Sequence, residues 1–165
     1  MLSQLARLRV PLGFTVAVVA LVFARPSWSS WFLGAPIALA GELLRCWAAG
    51  HIDKSREITR SGPYRWTRHP LYLGSALIGA GVVVAANSAL VAGVTTAYLV
   101  LTLMSAIRLE EVHLDEKFAG AYSDYRAGRA APVTRAFSWA RLRANKEYKA
   151  ILGLGVGFAY LALRL

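Results

Sequence analysis

Five apolar runs, each close to the length that crosses a bilayer, constrain this chain more than any other feature. They are Val10–Ala24, Trp31–Gly50, Leu71–Ala86, Ser88–Ile107 and Ala150–Arg164. A hydrocarbon core of ~30 Å takes about 20 helical residues, and backbone polar groups inside it must be satisfied within the segment, so such runs fold as helices. Nothing in the chain reads as β-strand, and no internal repeat or low-complexity linker interrupts it. The expected fold is therefore all-α: one polytopic membrane helical bundle of about five transmembrane helices with a helical cytosolic cap, forming a single domain over 1–165. The last run is short and is read as a fifth span over about 150–165. The first run follows Arg7 and Arg9 and has the outline of a secretory signal peptide. Because the chain returns to the membrane repeatedly, an uncleaved first helix is the better reading.

The 165 residues are 56% hydrophobic and carry a net charge of +10. Such a charge suits nucleic acid, but its placement suits a membrane. Segments 1–9, 51–70 and 108–149 hold 2, 5 and 9 Lys or Arg, while the opposite ends of the spans hold only Arg25 and Arg164. Under the positive-inside rule the N-terminus and both polar segments are cytoplasmic, facing anionic lipid, as in a bacterial inner membrane, and no nucleic-acid partner is needed. Cys46 stands alone, which excludes an intrachain disulfide and a cysteine-based metal site, and no metal is expected. Glu42 and Arg45 fall inside the second run, three residues apart on one helical face. Charges there are functional candidates. Arg45 is read as snorkelling towards the basic loop with Glu42 as its partner, and Glu42 as lining a polar cavity.

Between the second and third runs lies the stretch Ser61-Gly62-Pro63-Tyr64-Arg65-Trp66-Thr67-Arg68-His69-Pro70-Leu71-Tyr72-Leu73-Gly74. Ser61-Gly62-Pro63 is turn material. Pro70 disfavours helical backbone at His69 and suits the first turn of the helix that follows, so His69 sits at a helix mouth whose N–H groups and dipole attract an anion. Interfacial anchoring would use many of the same residue types. A turn at Asn87-Ser88 returns the chain, so His69 and Arg108 face one compartment. Beyond it, Glu111, Leu114, Phe118, Tyr122 and Tyr125 fall at steps of three, four, four and three, one stripe of a continuous helix. A buried carboxylate at Glu111 needs partners. Small residues at Ser75 and Gly79, Ala76 and Ala80, and Gly153, Gly155 and Gly157 are read as helix-packing positions.

The run S-G-P-Y-R-W-T-R-H-P-L-Y-L-G, followed by R-L-E-E at 108–111 and F-A-G-A-Y-S-D-Y at 118–125, resembles the isoprenylcysteine carboxyl methyltransferase and phospholipid methyltransferase superfamily. The approach L-R-C-W-A-A-G-H-I-D-K at 44–54 is similar to that of bacterial members, and the resemblance covers about 41–132. It implies an integral-membrane enzyme using S-adenosylmethionine, with the cytosolic cap holding the cofactor. His69, Pro70, Tyr72, Leu73, Gly74, Glu110 and Glu111 are implied to contribute to that pocket. By residue type, Arg68 and the helix mouth suit the cofactor carboxylate, Glu110 or Glu111 its amine or ribose, and Tyr64, Tyr72, Tyr122 or Tyr125 its sulfonium through cation–π contact. Arg108 and Glu111 are the catalytic candidates, with Arg108 or Arg129 orienting an anionic acceptor.

The expected reaction is methylation of a lipophilic or lipidated acceptor. A carboxylate acceptor needs no general base, and no clear base stands in the sequence, which favours O-methylation. Phospholipid or amine N-methylation is the alternative within the enzyme class, and a small non-enzymatic transporter or assembly factor using Glu42 is the alternative outside it.

Overall fold

A computed structural model describes residues 2–53, 57–118, 120–131 and 133–165, with side chains from residue 11 onward. The side chains of Arg7, Arg9, Lys54 and Arg56, which entered the charge count above, lie outside that description, as does Pro132 within the implied catalytic region. The described chain is all-helical: α1 (Leu2–Phe23), α2 (Trp28–His51), a 3-10 turn (Gly62–Arg65), α3 (Pro70–Ala86), α4 (Ala89–Lys117), α5 (Ala121–Arg126), α6 (Trp139–Ala144) and α7 (Tyr148–Ala162).

Two of these, α2 and α4, are long and apolar enough to cross a bilayer, whereas Pro11–Phe23, α3 and α7 are shorter apolar helices. The apolar surface faces outward: Phe14, Phe32, Leu33, Leu43 and Leu152 are each more than half exposed. Contiguous exposed apolar surface of this extent suits lipid, not water. At 29 residues α4 is ~43 Å long and overreaches a ~30 Å hydrocarbon layer, so its polar final turns stand clear of the apolar zone.

The tightest packing joins α2 to α3 along a glycine seam. A Cβ on Gly41 would lie 2.6 Å from the Gly74 carbonyl oxygen, and one on Gly81 would lie 2.5 Å from the Ala38 nitrogen. Gly34 and Gly41 on α2 thus meet Gly81 and Gly74 on α3, each pair seven residues apart on antiparallel helices, a register in which only small residues fit. The sequence reading named other small pairs. Gly79 does meet a neighbour, Leu99 of α4, but nothing lies within 4 Å of a Cβ at Gly153, Gly155 or Gly157. Those three make no close contact among the described residues, with Gly153 and Gly155 exposed and Gly157 partly so.

Both ends of the bundle are bonded. At one, Asn87 closes α3 with left-handed backbone (φ 47) and donates to the Arg25 carbonyl, while the Arg25 N–H reaches the Ala86 carbonyl at 2.8 Å. At the other, α6 covers the C-terminus of α2: Arg141 Nε donates to the Gly50 carbonyl at 2.8 Å and Asn145 Nδ2 to that of Ala49 at 3.0 Å. A cation and an amide there satisfy carbonyls the helix cannot bond itself. Running antiparallel to α2, α7 is held near its far end by Trp31, whose Nε1 donates to the Phe158 carbonyl at 3.1 Å.

Candidate functional site

The polar stretch 61–74 divides in two on folding. Gly62 adopts φ 57 and passes the His51 ring so closely that a Cβ would lie 2.5 Å from Cδ2, and His51 Nδ1 pairs with Ser61 Oγ at 3.1 Å. This fixes the turn and sends alternate side chains in opposite directions. Trp66 is 77% exposed and meets Trp47 edge-on at 5.3 Å, an interfacial arrangement. Tyr64 is buried inward.

Inward lies a cavity of about 610 Å³. One wall is Tyr64, Arg68, His69, Pro70, Leu71, Tyr72 and Ser75; the other is the α4 face running through Tyr98, Thr102, Leu103, Ala106, Leu109, Glu110 and His113. From Tyr98 to His113 that face is ~22 Å long, so the cavity runs from the polar cap well into the apolar zone. Leu114, Tyr122 and Tyr125 form its roof.

Glu111 joins the two polar blocks. Its Oε1 accepts from Arg68 Nη1 at 3.0 Å and lies 3.1 Å from His69 Nε2, so one carboxylate ties the mouth of α3 to the end of α4. Arg68 is therefore already paired. The helix mouth is also less open than expected, because Pro70 has no N–H and the N–H groups of Tyr72 and Leu73 both bond to the His69 carbonyl.

The aromatic stripe is not one continuous helix. The helix stops at Lys117, Gly120 takes φ 80, and α5 restarts at Ala121. Phe118 consequently turns to a separate hollow beside Arg60 and Ser61, while Tyr122 and Tyr125 fold over the main cavity. Tyr125 Oη donates to the Tyr64 carbonyl at 2.7 Å, tying α5 to the first block. The Tyr122 ring is 1% exposed, yet its hydroxyl has no partner among the described residues. Burial pushes the Tyr125 hydroxyl up to about 12, with Tyr122 adding to it. Burial likewise raises Tyr64, helped by Glu110, and Tyr122, helped by Glu111. All three stay neutral near pH 7 and act as donors and π-faces.

Of the residues singled out in the sequence, Tyr64, Arg68, His69, Pro70, Tyr72, Glu110, Tyr122 and Tyr125 lie on the cavity wall, and Glu111 binds two of them. Leu73 points outward at 48% exposure, and Gly74 faces Arg45 and Gly41 across the α2–α3 seam. Arg108 is exposed and falls between the residues of α4 that face the cavity, and Arg129 is held by Asp124 at 2.8 Å. Neither arginine lines the cavity.

Among the lining residues not expected at the site, three bear on its chemistry. His113 sits one turn beyond Glu110 on the same face and was within reach of a period count. Ser75 was read as a packing position, but its hydroxyl is 2.5 Å from Arg45 Nη1. Glu147 is a buried carboxylate whose only sequence signal is an acid amid basic residues beside an apolar run. It takes Arg45, which lies 4.0 Å from Glu42 and only 2.8 Å from Glu147.

Residues 44–121 match the family model described as phospholipid methyltransferase. That region belongs to the superfamily shared with the isoprenylcysteine carboxyl methyltransferases, whose phospholipid branch comprises membrane-associated methyltransferases. No curated protein and no solved structure gives a significant match to the chain. The matched segment holds both walls of the cavity and ends one residue before Tyr122, leaving part of the roof and all of α7 outside it.

Proposed function

We propose that this protein is a five-span membrane methyltransferase that transfers a methyl group from S-adenosylmethionine to a lipophilic acceptor at the cytoplasmic face of a bacterial inner membrane. The observation that carries the reading is the hollow formed where the two polar blocks meet, with the buried Tyr122 hydroxyl unpartnered inside it.

The residues present fit such a cofactor. The volume is within the ~300–1,000 Å³ of small-molecule sites. Glu110, which makes no hydrogen bond or ion pair among the described residues, suits an amine or ribose hydroxyl; Ile52, Ile58, Leu109 and Leu114 offer apolar surface for a purine; and Tyr64, Tyr72, Tyr122 and Tyr125 present aromatic rings to a sulfonium. When bound, the cofactor supplies an electrophilic methyl group. The chain supplies position and dryness: Glu111 fixes Arg68 and His69 on one side, and α5 covers the site from above. The deep end of the cavity, along Tyr98, Thr102 and Leu103, lies within the apolar part of α4 and suits an acceptor that reaches the site from the bilayer.

Carboxylate methylation needs nothing further. Amine methylation is the second reading, and one observation favours it: His113 and Glu110 both line the cavity, so a group able to take a proton from an ammonium is present after all. Calorimetry with S-adenosylmethionine and S-adenosylhomocysteine tests the cofactor, and absence of heat with both rejects the proposal. Labelled methyl transfer into the host's lipids, followed by base, separates the acceptors, since methyl esters release methanol and N-methyl groups do not. In the transporter reading, Glu42→Gln abolishes function while His69→Ala and Glu111→Ala are tolerated.

A further inference from the structure

Glu147 lies 26 residues beyond the end of the matched family segment at 121, yet it reaches the cavity floor. It precedes α7, is 5% exposed, and faces the hollow with Arg45 and Ser75. The Arg45 guanidinium binds it in a fork, with Nη2 at 3.0 Å from Oε1 and 2.8 Å from Oε2, and Nε at 3.2 Å from Oε2. The remaining guanidinium nitrogen, Nη1, bonds to Ser75 Oγ and lies 3.5 Å from the Leu71 carbonyl, while Ser75 Oγ itself donates to Leu71 at 2.9 Å.

Every nitrogen of Arg45 is thereby directed at the chain. A guanidinium so engaged is a strut and not a receptor for an anion. Its two ends rest on different elements: one on α7, the other on the first two turns of α3, which carry Leu71, Tyr72 and Ser75 along the cavity wall. In those turns Gly74 meets α2 through its backbone and the Arg45 stem, and Leu71 packs against the Ala48, Ile52 and Tyr64 cluster, so the guanidinium adds a polar hold to an apolar one.

We propose that Glu147 is a positioning residue of the cavity: acting through Arg45, it sets the first turns of α3 and so makes the tail helix α7 a working part of the site. The fork requires a carboxylate. An amide can accept from one arm only and sets its own N–H groups against the other, leaving a buried guanidinium partly unpaired.

The test uses the full-length protein in lipid nanodiscs, with two readouts: amide hydrogen exchange at residues 71–75, and affinity for S-adenosylhomocysteine by calorimetry, the second of which rests on the methyltransferase reading. Glu147→Gln is expected to speed exchange at 71–75 at least tenfold and to weaken affinity at least tenfold. Glu147→Asp keeps the charge and is expected to hold both within about threefold of wild type, the range a retained ion pair allows. Arg164→Ala loosens the other end of α7, where that side chain donates to the Leu21 and Val22 carbonyls, and is expected to change neither. Exchange at 71–75 within twofold of wild type in Glu147→Gln overturns the proposal, as does equal loosening in Arg164→Ala, which would make α7 a merely docked helix. Should Glu147→Gln fail to fold, Ser75→Ala removes the shorter of the strut's two α3 contacts, leaving the one to the Leu71 carbonyl at 3.5 Å, with both charges still paired, and exchange at 71–75 must rise there too. Wild-type protein that binds no S-adenosylhomocysteine sinks the methyltransferase reading, and the exchange arm then decides the strut by itself.

Discussion

The two faces of α3 solve opposite problems with similar means. Against α2, glycines at 74 and 81 meet glycines at 41 and 34, and the backbones approach until no side chain fits between them. Against α4, the same helix presents Leu71, Tyr72 and Ser75 and stands off, leaving about 610 Å³ of space lined by polar and aromatic groups. In lipid, apolar side chains gain little from meeting one another, so close backbone approach supplies the cohesion. A rigid dry seam on one side is what lets a hollow persist on the other.

That contrast breaks most severely at the seam. Gly74→Val places methyl groups where the Gly41 carbonyl and the Arg45 stem already sit, and is expected to cost about 3 kcal/mol or more, seen as loss of the monodisperse folded protein in size-exclusion chromatography. On the hollow side, Glu111→Gln weakens the join of Arg68 and His69 to α4 at a half-exposed site. Binding of S-adenosylhomocysteine by calorimetry should fall about tenfold, ~1.4 kcal/mol, with little change in thermal midpoint. Tyr122→Phe sharpens the distinction between stability and function. Because the hydroxyl has no partner, its removal should leave the protein as stable as before, or more stable by up to about 1 kcal/mol, while ligand affinity drops.

Alkaline pH separates the faces by a smaller effect. The folded state holds the Tyr125 proton up to about 12 while the unfolded chain releases it near 10, so stability is complete below pH 10 and declines as pH rises towards 12. In Tyr125→Phe the decline, followed by circular dichroism, should be shallower. The smallest change is expected at Gly153→Ala, where a methyl group enters open space: a gain of no more than about 1 kcal/mol from helix propensity, against the large loss at Gly74.

Much of this was legible from residue order. Apolar length located all five long helices but missed the start of α1, at Leu2, and the end of α4, at Lys117, because helix continues into polar sequence there; the Asn87-Ser88 turn put both polar blocks on one side of the bundle, where His69 and Glu111 are bonded. The helical period put Glu111 and Tyr122 on one stripe but hid the break at Gly120, since a glycine interrupting a good stripe looks the same whether the helix continues or turns. Arg108 was named for its charge alone, and residue type says nothing about which way a side chain faces; it is exposed and lies off the cavity lining. Glu147 was illegible for a different reason: Arg45 had a nearer acid in the sequence, Glu42 one turn away, and only tertiary packing brings a competitor from 102 residues on.

The break at Gly120 decides how wide the site can open. Nothing crowds a Cβ at that position, so backbone torsion (φ 80) sets the angle at which α5 leaves α4, and the tyrosines beyond it are seated where Tyr125 meets Tyr64 and Arg126 lies 4.0 Å from Asp115. The tilt of this cover is therefore written into one left-handed torsion, and any residue but glycine at that point would reset its resting angle.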